Sequence, residues 1–434
     1  MYYFIGIKGT GMAALATMLY DLGKEVCGSD LKKHFFTEDE LVKRNIPIYE
    51  FNPTNIKDNY TVIIGNAFLE DFDEVKAARN NPTCTCYRYH EFLGKLIEDY
   101  ISVGICGSHG KTTTTTMCST VFSRFKNTAY LIGDGEGFLS KDSEYICIEA
   151  CEFRRHFLAY KLDYVLITNI EIDHVDYFKD EQDYFNAYQE LIRQVKKLCI
   201  YNGDDKWCKK LDFKELEHYS YGLSSDNDFY PINVTNDTSF TSFDLVFKGK
   251  TVGHFDIPFV GNHLLLDALS VISLSYIKGF DLKIVNEALN DYHGPKRRYV
   301  VENYKGSVFI DDYAHHPTEV KVTLEATRKR YPDANIVAIF KPHRASRVKY
   351  FAKQFKEALL LADEIYLLEF TSIDDKQDGV DVNISYLSNM IDKAQILPEN
   401  EEGAKILAKH KGSIFVFMSS KDIYNLADMV KKLI

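Results

Sequence analysis

Three times along the chain an apolar stretch of strand length runs into a loop and then into an apolar pattern of helical spacing. A chain built that way is constrained to parallel sheets with helices packed over both faces. The first unit opens with the strand Tyr2–Ile7, passes through a loop holding Gly6, Gly9 and Gly11, and enters a helix over Met12–Leu22, with further strands at Glu25–Gly28 and Thr61–Gly65. The second starts with the strand Ile101–Cys106, then GSHGKTTTTT, then a helix carrying Met117, Val121 and Phe122, with later strands at Tyr145–Glu149, Tyr164–Thr168 and Leu198–Tyr201. The third follows Gly294-Pro295, with strands at Val308–Asp312, Ile336–Phe340, Glu364–Leu368 and Ile414–Met418. Between the second and third, Asp204–Phe259 is polar and alternating and reads as an inserted antiparallel patch, after which Gly261–Ile277 returns to a helix.

At 434 residues the chain suits about three domains, at roughly 150 residues each. A formal net charge of −11 argues against a general nucleic-acid binder, whose footprint is basic. The nine cysteines are scattered without a CxxC pair, which fits a reduced compartment better than a disulfide framework or a zinc site. The apolar N-terminus lacks the basic flank of a signal peptide, and no run of about 18 apolar residues suggests a membrane span. These features predict a cytoplasmic protein without membrane insertion, a monomer or a homodimer.

The strongest local signal is the strand ending at Cys106 followed by Gly107-Ser108-His109-Gly110-Lys111-Thr112. Glycines let successive N–H groups turn toward phosphate oxygens, and the helix N-terminus adds a favourable partial charge. Lys111 is spaced to reach the terminal phosphates, and Thr112 to hold Mg²⁺. The spacing is not that of the general phosphate loop, which would need glycine at 105, where Ile105 stands.

GSHGKTTTT resembles the GTHGKTTT loop of the Mur ligases, ATP-dependent amide-forming enzymes of peptidoglycan assembly. GIKGTGMAALA, EACEFRRHFL, TNIEIDHVDYF, GPKRRY, DDYAHHPTE and PHRASR resemble, in order, further blocks of the family branch that joins L-alanine to UDP-N-acetylmuramate. The resemblance implies an α/β protein of three domains: a Rossmann-like UDP-sugar-binding domain over 1–98, a P-loop ATPase-like domain with a mostly parallel sheet over 99–296, and a Rossmann-like domain for the amino acid over 297–434.

It also implies roles for residues. Gly107, Ser108, His109, Gly110, Lys111, Thr112 and Thr113 would hold ATP, with His263 on the adenine side, Asp312 on the ribose, and Arg297 or Arg298 reaching phosphate. Mg²⁺ would be held by Thr112 and Glu149, with His174 on a second ion. UDP-N-acetylmuramate would lie against Gly9, Thr10, Gly11, Ser29 and Asp30, with Asn169, Tyr313 and His315 on the substrate side. Arg344 and Arg347 suit the carboxylate of L-alanine, because a guanidinium fork grips it bidentately. Lys111, Glu149, His174 and Arg298 are the expected catalytic groups. The expected reaction phosphorylates the lactyl carboxylate, and the alanine amine then displaces phosphate.

The chain departs from the family pattern where Asp267 replaces an asparagine of the adenine-side block, and where Ser419-Ser420-Lys421-Asp422 stands for GAGD. Rival readings are a ligase that attaches a whole tripeptide to the same sugar nucleotide, a folate polyglutamate ligase, and a catalytically weak scaffold with the same fold. A dehydrogenase is disfavoured because Gly6, Gly9 and Gly11 are spaced GxxGxG and not GxGxxG.

Overall fold

A computed structural model of the chain describes residues 1–237, 240–292, 294, 298–371, 380–421 and 423–434. Its strands form three sheets. The chain divides into two compact units, one of 1–171 with 181–295 and the other of 172–180 with 296–434.

In the first unit, β1 (Tyr2–Ile5), β2 (Val26–Ser29), β3 (Ile48–Tyr49), β4 (Thr61–Ile64) and β5 (Thr85–Arg88) form a parallel sheet in the order β3-β2-β1-β4-β5. Helices α1 (Thr10–Asp21), α2 (Glu38–Lys43), α3 (Asp73–Asn80) and α4 (Tyr89–Ile97) belong to the same stretch. Ile5 is paired with Ser29 on one side and with Ile64 on the other. The loops after β1, β2 and β4 therefore leave one edge of the sheet, where strand order reverses and ligands of such sheets bind.

The same unit holds a ten-stranded sheet built from β6 (Ile101–Cys106), β7 (Thr128–Leu131), β8 (Gly137–Phe138), β9 (Tyr145–Glu149), β10 (Tyr164–Ile167), β11 (Leu198–Asn202), β12 (Glu217–Tyr221), β13 (Phe229–Asn236), β14 (Thr241–Phe247) and β15 (Lys250–Ile257). The polar stretch over 204–259 is only partly the antiparallel insert expected. β12 joins parallel to β11, and only β13–β14 and β14–β15 are antiparallel, so the region extends the main sheet. Alternation along a strand reports one solvated face, which is commonest in antiparallel sheets but does not by itself fix strand direction at a sheet's periphery. Helices α5 (Lys111–Phe122), α6 (Glu181–Ile192), α7 (Asn262–Ile277) and α8 (Leu282–Asn290) complete this part. α5 buries Met117, Val121 and Phe122 in the core with Val103, Ile105 and Cys147. At about 1.5–3 kcal/mol for each such side chain, this packing fixes where the helix begins.

The second unit has the sheet β16 (Val300–Tyr304), β17 (Ser307–Asp312), β18 (Ile336–Phe340), β19 (Glu364–Leu367), β20 (Ala394–Ile396) and β21 (Ile414–Met418), in the order β16-β17-β21-β18-β19-β20. It is parallel except for β16. Helix α9 (Pro317–Arg330) starts with Pro317 at its first turn, and its N-cap is His316, whose ring accepts from the Thr318 N–H. Among the described residues no helix is long and apolar enough to cross a membrane.

Candidate active site

The phosphate loop stands where the ten-stranded sheet ends. Ile105 pairs with Glu149 and Cys106 with Ile167, so Gly107, Glu149 and Thr168 leave adjacent strands at one edge. Gly107 and Gly110 have φ of 142° and 81°, which a side chain would strain. A Cβ at Gly110 would lie 2.6 Å from a carboxylate oxygen of Asp267, so the residue that departs from the family pattern packs directly behind the loop.

Lys111 opens α5. Its Nζ donates to the carbonyl oxygens of Gly107 and Ser108 and to the Glu152 carboxylate, at 3.1 Å and 3.4 Å. Burial works to lower the Lys111 pKa, but Glu152, the Cys151 thiol and Glu149 outweigh it, and the ammonium titrates above its ordinary value. Glu152 is 0% exposed. Its part in the site was not legible in EACEFRRHFL, where it reads as a neighbour of Glu149. Helix geometry leaves the N–H groups of the first turn, at Lys111, Thr112 and Thr113, without partners inside the helix. Glu149 accepts from the Gly133 N–H at 2.6 Å. With the Thr112 hydroxyl at the start of α5, this gives two hard oxygen donors beside the loop, a donor set that fits Mg²⁺.

Two expected ligand contacts have other partners. Asn169 grips the loop itself: its Oδ1 accepts from the His109 N–H at 3.0 Å, and its Nδ2 donates to the His109 carbonyl at 3.1 Å. Thr168 Oγ1 donates to the same carbonyl at 2.5 Å. Ser108 Oγ donates to the Glu171 carbonyl and lies 2.9 Å from the Tyr184 hydroxyl, so Ser108 can offer a ligand little beyond its backbone. His109 Nε2 lies 2.9 Å from Glu171 Oε2. His263 is exposed on the first turn of α7.

At the other glycine loop, α1 starts at Thr10 with Gly9 as its N-cap, and Gly11 stands in its first turn. Lys8 is 5% exposed. Its Nζ donates to the carbonyls of Leu31 and Lys33 and pairs with Glu38 at 2.9 Å. Asp30 accepts from the N–H groups of Lys8 and Leu31, at 2.7 Å and 2.8 Å, and burial raises its pKa. Ser29, expected on the substrate side, is fully buried, and its hydroxyl donates to Glu74 at 2.5 Å. Sequence reasoning missed Lys8 and Glu74, whose side-chain partners lie 19 to 71 residues away.

In the second unit, Asp312, Phe340 and Met418 are register partners, so the loops that follow them share an edge. Asp312 accepts from Ala314 and Tyr299 N–H groups, at 2.7 Å and 2.8 Å, and burial pushes its pKa up to about 6. The Arg298 guanidinium lies 4.7 Å from the centre of the Tyr313 ring and 3.8 Å from Glu319. His315 Nδ1 is 3.0 Å from both the Tyr313 carbonyl and Glu319. Arg297 and Asp422 lie outside the described residues. Ser419 is fully buried, and its hydroxyl accepts from the Lys421 N–H at 2.9 Å.

Arg344 and Arg347, expected to hold the amino acid, have partners within the chain. Arg347, 2% exposed, meets Asp173 at 2.7 Å and 2.8 Å, and Arg344 meets Asp176 at 2.7 Å. Carboxylates of the chain itself, from segment 172–180, thus engage the groups expected to grip the amino acid. Burial alone would raise the Asp173 pKa, but Arg347 and nearby histidines hold it well below the usual carboxylate range. His174 is on the same segment with φ 51°, and Arg344 has φ 68°, both unusual for side-chain-bearing residues.

Three family models cover most of the chain: Mur ligase family catalytic domain over residues 1–101, Mur ligase middle domain over 105–275, and Mur ligase glutamate ligase domain over 296–421. The chain belongs to the Mur ligase family. Among curated Mur ligases, it is 42% identical over 422 residues to the UDP-N-acetylmuramate–L-alanine ligase of Lacticaseibacillus casei strain BL23, covering 97% of this chain and 96% of that one. Among solved structures, the UDP-N-acetylmuramate-alanine ligase of Thermotoga maritima matches with a TM-score of 0.81 at 25% identity, covering 99% and 98% of the two chains. A murein peptide ligase of Psychrobacter arcticus shares the Mur ligase fold, with a TM-score of 0.78 at 20% identity over 100% and 98%.

Proposed function

We propose that the protein joins L-alanine to the lactyl carboxylate of UDP-N-acetylmuramate at the expense of ATP, a step of peptidoglycan synthesis. The observation that carries this reading is the 42% identity, sustained over 97% of the chain, to a curated ligase named for that reaction. The phosphate loop supports it, since Lys111 and the first turn of α5 form a site for a polyphosphate.

A carboxylate is a poor acyl donor because its leaving group would be oxide. Transfer of the γ-phosphoryl group of ATP to a lactyl carboxylate oxygen releases ADP and gives an acyl phosphate. The alanine amine then attacks the carbonyl carbon, loses a proton, and the carbon–oxygen bond to phosphate breaks. Lys111 is the group of this chain placed to follow charge on the transferring phosphoryl. Thr112 and Glu149 would hold Mg²⁺, which supplies charge neutralisation on the triphosphate. By family resemblance His174 serves a second ion, Arg298 or Arg297 a phosphate, and Tyr313 and His315 the substrate side.

The test is phosphate release from ATP with Mg²⁺ and UDP-N-acetylmuramate, comparing L-alanine, an L-alanyl tripeptide and no addition. Release that depends on free L-alanine is expected. Release only with the tripeptide would transfer the protein to the peptide-attaching ligases, and release with neither would favour a scaffold.

A further inference from the structure

Tyr89 is the first residue of α4, directly after β5, at the edge of the first sheet from which the Gly9–Gly11 loop also leaves. A Cβ at position 11 would lie 2.6 Å from the Tyr89 hydroxyl oxygen and 2.7 Å from the ring carbon that bears it. The phenol therefore lies against the start of α1, and glycine at 11 is what leaves it room. Gly11 has no positive φ among the backbone exceptions, so this steric reason is separate from backbone freedom. Among the described residues no hydrogen bond to the Tyr89 hydroxyl is made, although at this edge Asp30 is bound to the Lys8 N–H and Ser29 to Glu74. Burial and then the Glu149 carboxylate raise the Tyr89 pKa, so the phenol stays protonated and is a donor at neutral pH.

We infer that Tyr89 is a binding residue for the sugar nucleotide, donating its hydroxyl hydrogen to an oxygen of the substrate between the Gly9–Gly11 loop and Glu149. The placement carries this: the phenol touches the start of α1, where the Gly9–Gly11 loop is expected to hold the sugar nucleotide, and Glu149, beside the phosphate loop, is near enough to act on it. The inference rests on the reading of the reaction given above.

The test is steady-state kinetics of Tyr89→Phe, with the melting temperature measured alongside. The KM for UDP-N-acetylmuramate is expected to rise about tenfold or more, the range for losing a hydrogen bond to a charged group. The KM for ATP and for L-alanine, and the melting temperature, should hold. Gly11→Ala should push the ring aside and raise the same KM, and the double variant should lose less than the product of the two single losses, as coupled positions do. An unchanged KM for the sugar nucleotide in Tyr89→Phe overturns the inference while leaving the reaction intact. Equal rises in all three KM values with a fallen melting temperature overturn it too, because they mark a structural role. Wild-type protein without alanine-dependent phosphate release overturns the functional reading, and this inference with it.

Discussion

The two glycine loops of the first unit share a plan: each ends a parallel strand, carries one lysine, and opens a helix of 12 residues. Their lysines are wired differently. Lys111 is bound by two carbonyls of its own loop and by Glu152, so the ammonium sits over the concave side of the turn it belongs to. It can exchange carbonyl oxygens for phosphate oxygens without parting two segments of chain. Lys8 is bound by Leu31, Lys33 and Glu38, about 23 to 30 residues downstream, and fixes the stretch after β2 against the loop. A lysine in a glycine loop is thus not by itself a phosphate group. Its position relative to the helix start, and the sequence distance of its partners, decide what it does.

The comparison breaks or sharpens on paired variants. Lys111→Ala should lower alanine-dependent phosphate release by about 10³-fold, as loss of a donor to developing charge does, and should lower the melting temperature as well, because it leaves the buried Glu152 carboxylate without its cation. Lys8→Met should cost stability alone: about 3–5 kcal/mol, the range for breaking a buried ion pair, with kcat within a few-fold. Were Lys8→Met to abolish turnover at an unchanged melting temperature, the distinction would collapse.

Asn169→Ala removes both side-chain grips on His109 and should cost up to roughly 100-fold in kcat/KM for ATP, because small misplacements of a positioning group carry such penalties. Asp30→Ala, the matching cut at the other loop, should affect the KM for the sugar nucleotide and leave that for ATP in place.

A smaller effect asks whether nucleotide binding depends on groups away from either loop. Asp312 has a folded pKa of about 6, above its ordinary 3.8. The folded state then holds a proton between about pH 4 and 6 that the unfolded chain releases. This group's contribution to stability is complete below about pH 4 and is lost as pH rises through 6. If the carboxylate accepts from ribose hydroxyls, the KM for ATP should rise several-fold as pH falls from 7 to 5. Asp312→Asn should flatten that profile, and an unflattened one would remove Asp312 from the nucleotide site. The smallest change is expected for Asp267→Asn, which restores the family residue behind Gly110: a shift within about threefold in the KM for ATP, read from initial rates.

Much of the fold was legible because parallel strands buried on both faces are written as short apolar runs, and Ile101–Cys106, Tyr145–Glu149, Ile336–Phe340 and Ile414–Met418 have the bounds expected. The direction of β12 was not, since pairing partners do not enter a local pattern. Within the site, Lys111 was legible from its loop. Glu152 was not, because two glutamates three residues apart look alike until one is known to be buried. Asn169 was read as a ligand group for the same reason: its partner, His109, is 60 residues earlier. Arg344 and Arg347 were read as groups for the carboxylate of the amino acid, and sequence alone does not say that Asp176 and Asp173 lie against them.

The stretch 172–180 has a consequence for anyone dividing this chain into pieces. It groups with 296–434 although 115 residues intervene between 180 and 296. A fragment cut at the third sheet's beginning would carry Arg347, a guanidinium made for the interior, without the aspartate that neutralises it. Such a fragment should be poorly folded or gain solvent at that point, and supplying a peptide of the missing stretch should restore part of what the cut removed. The gene's order and the protein's cohesion part company here, and the seam runs through a charge.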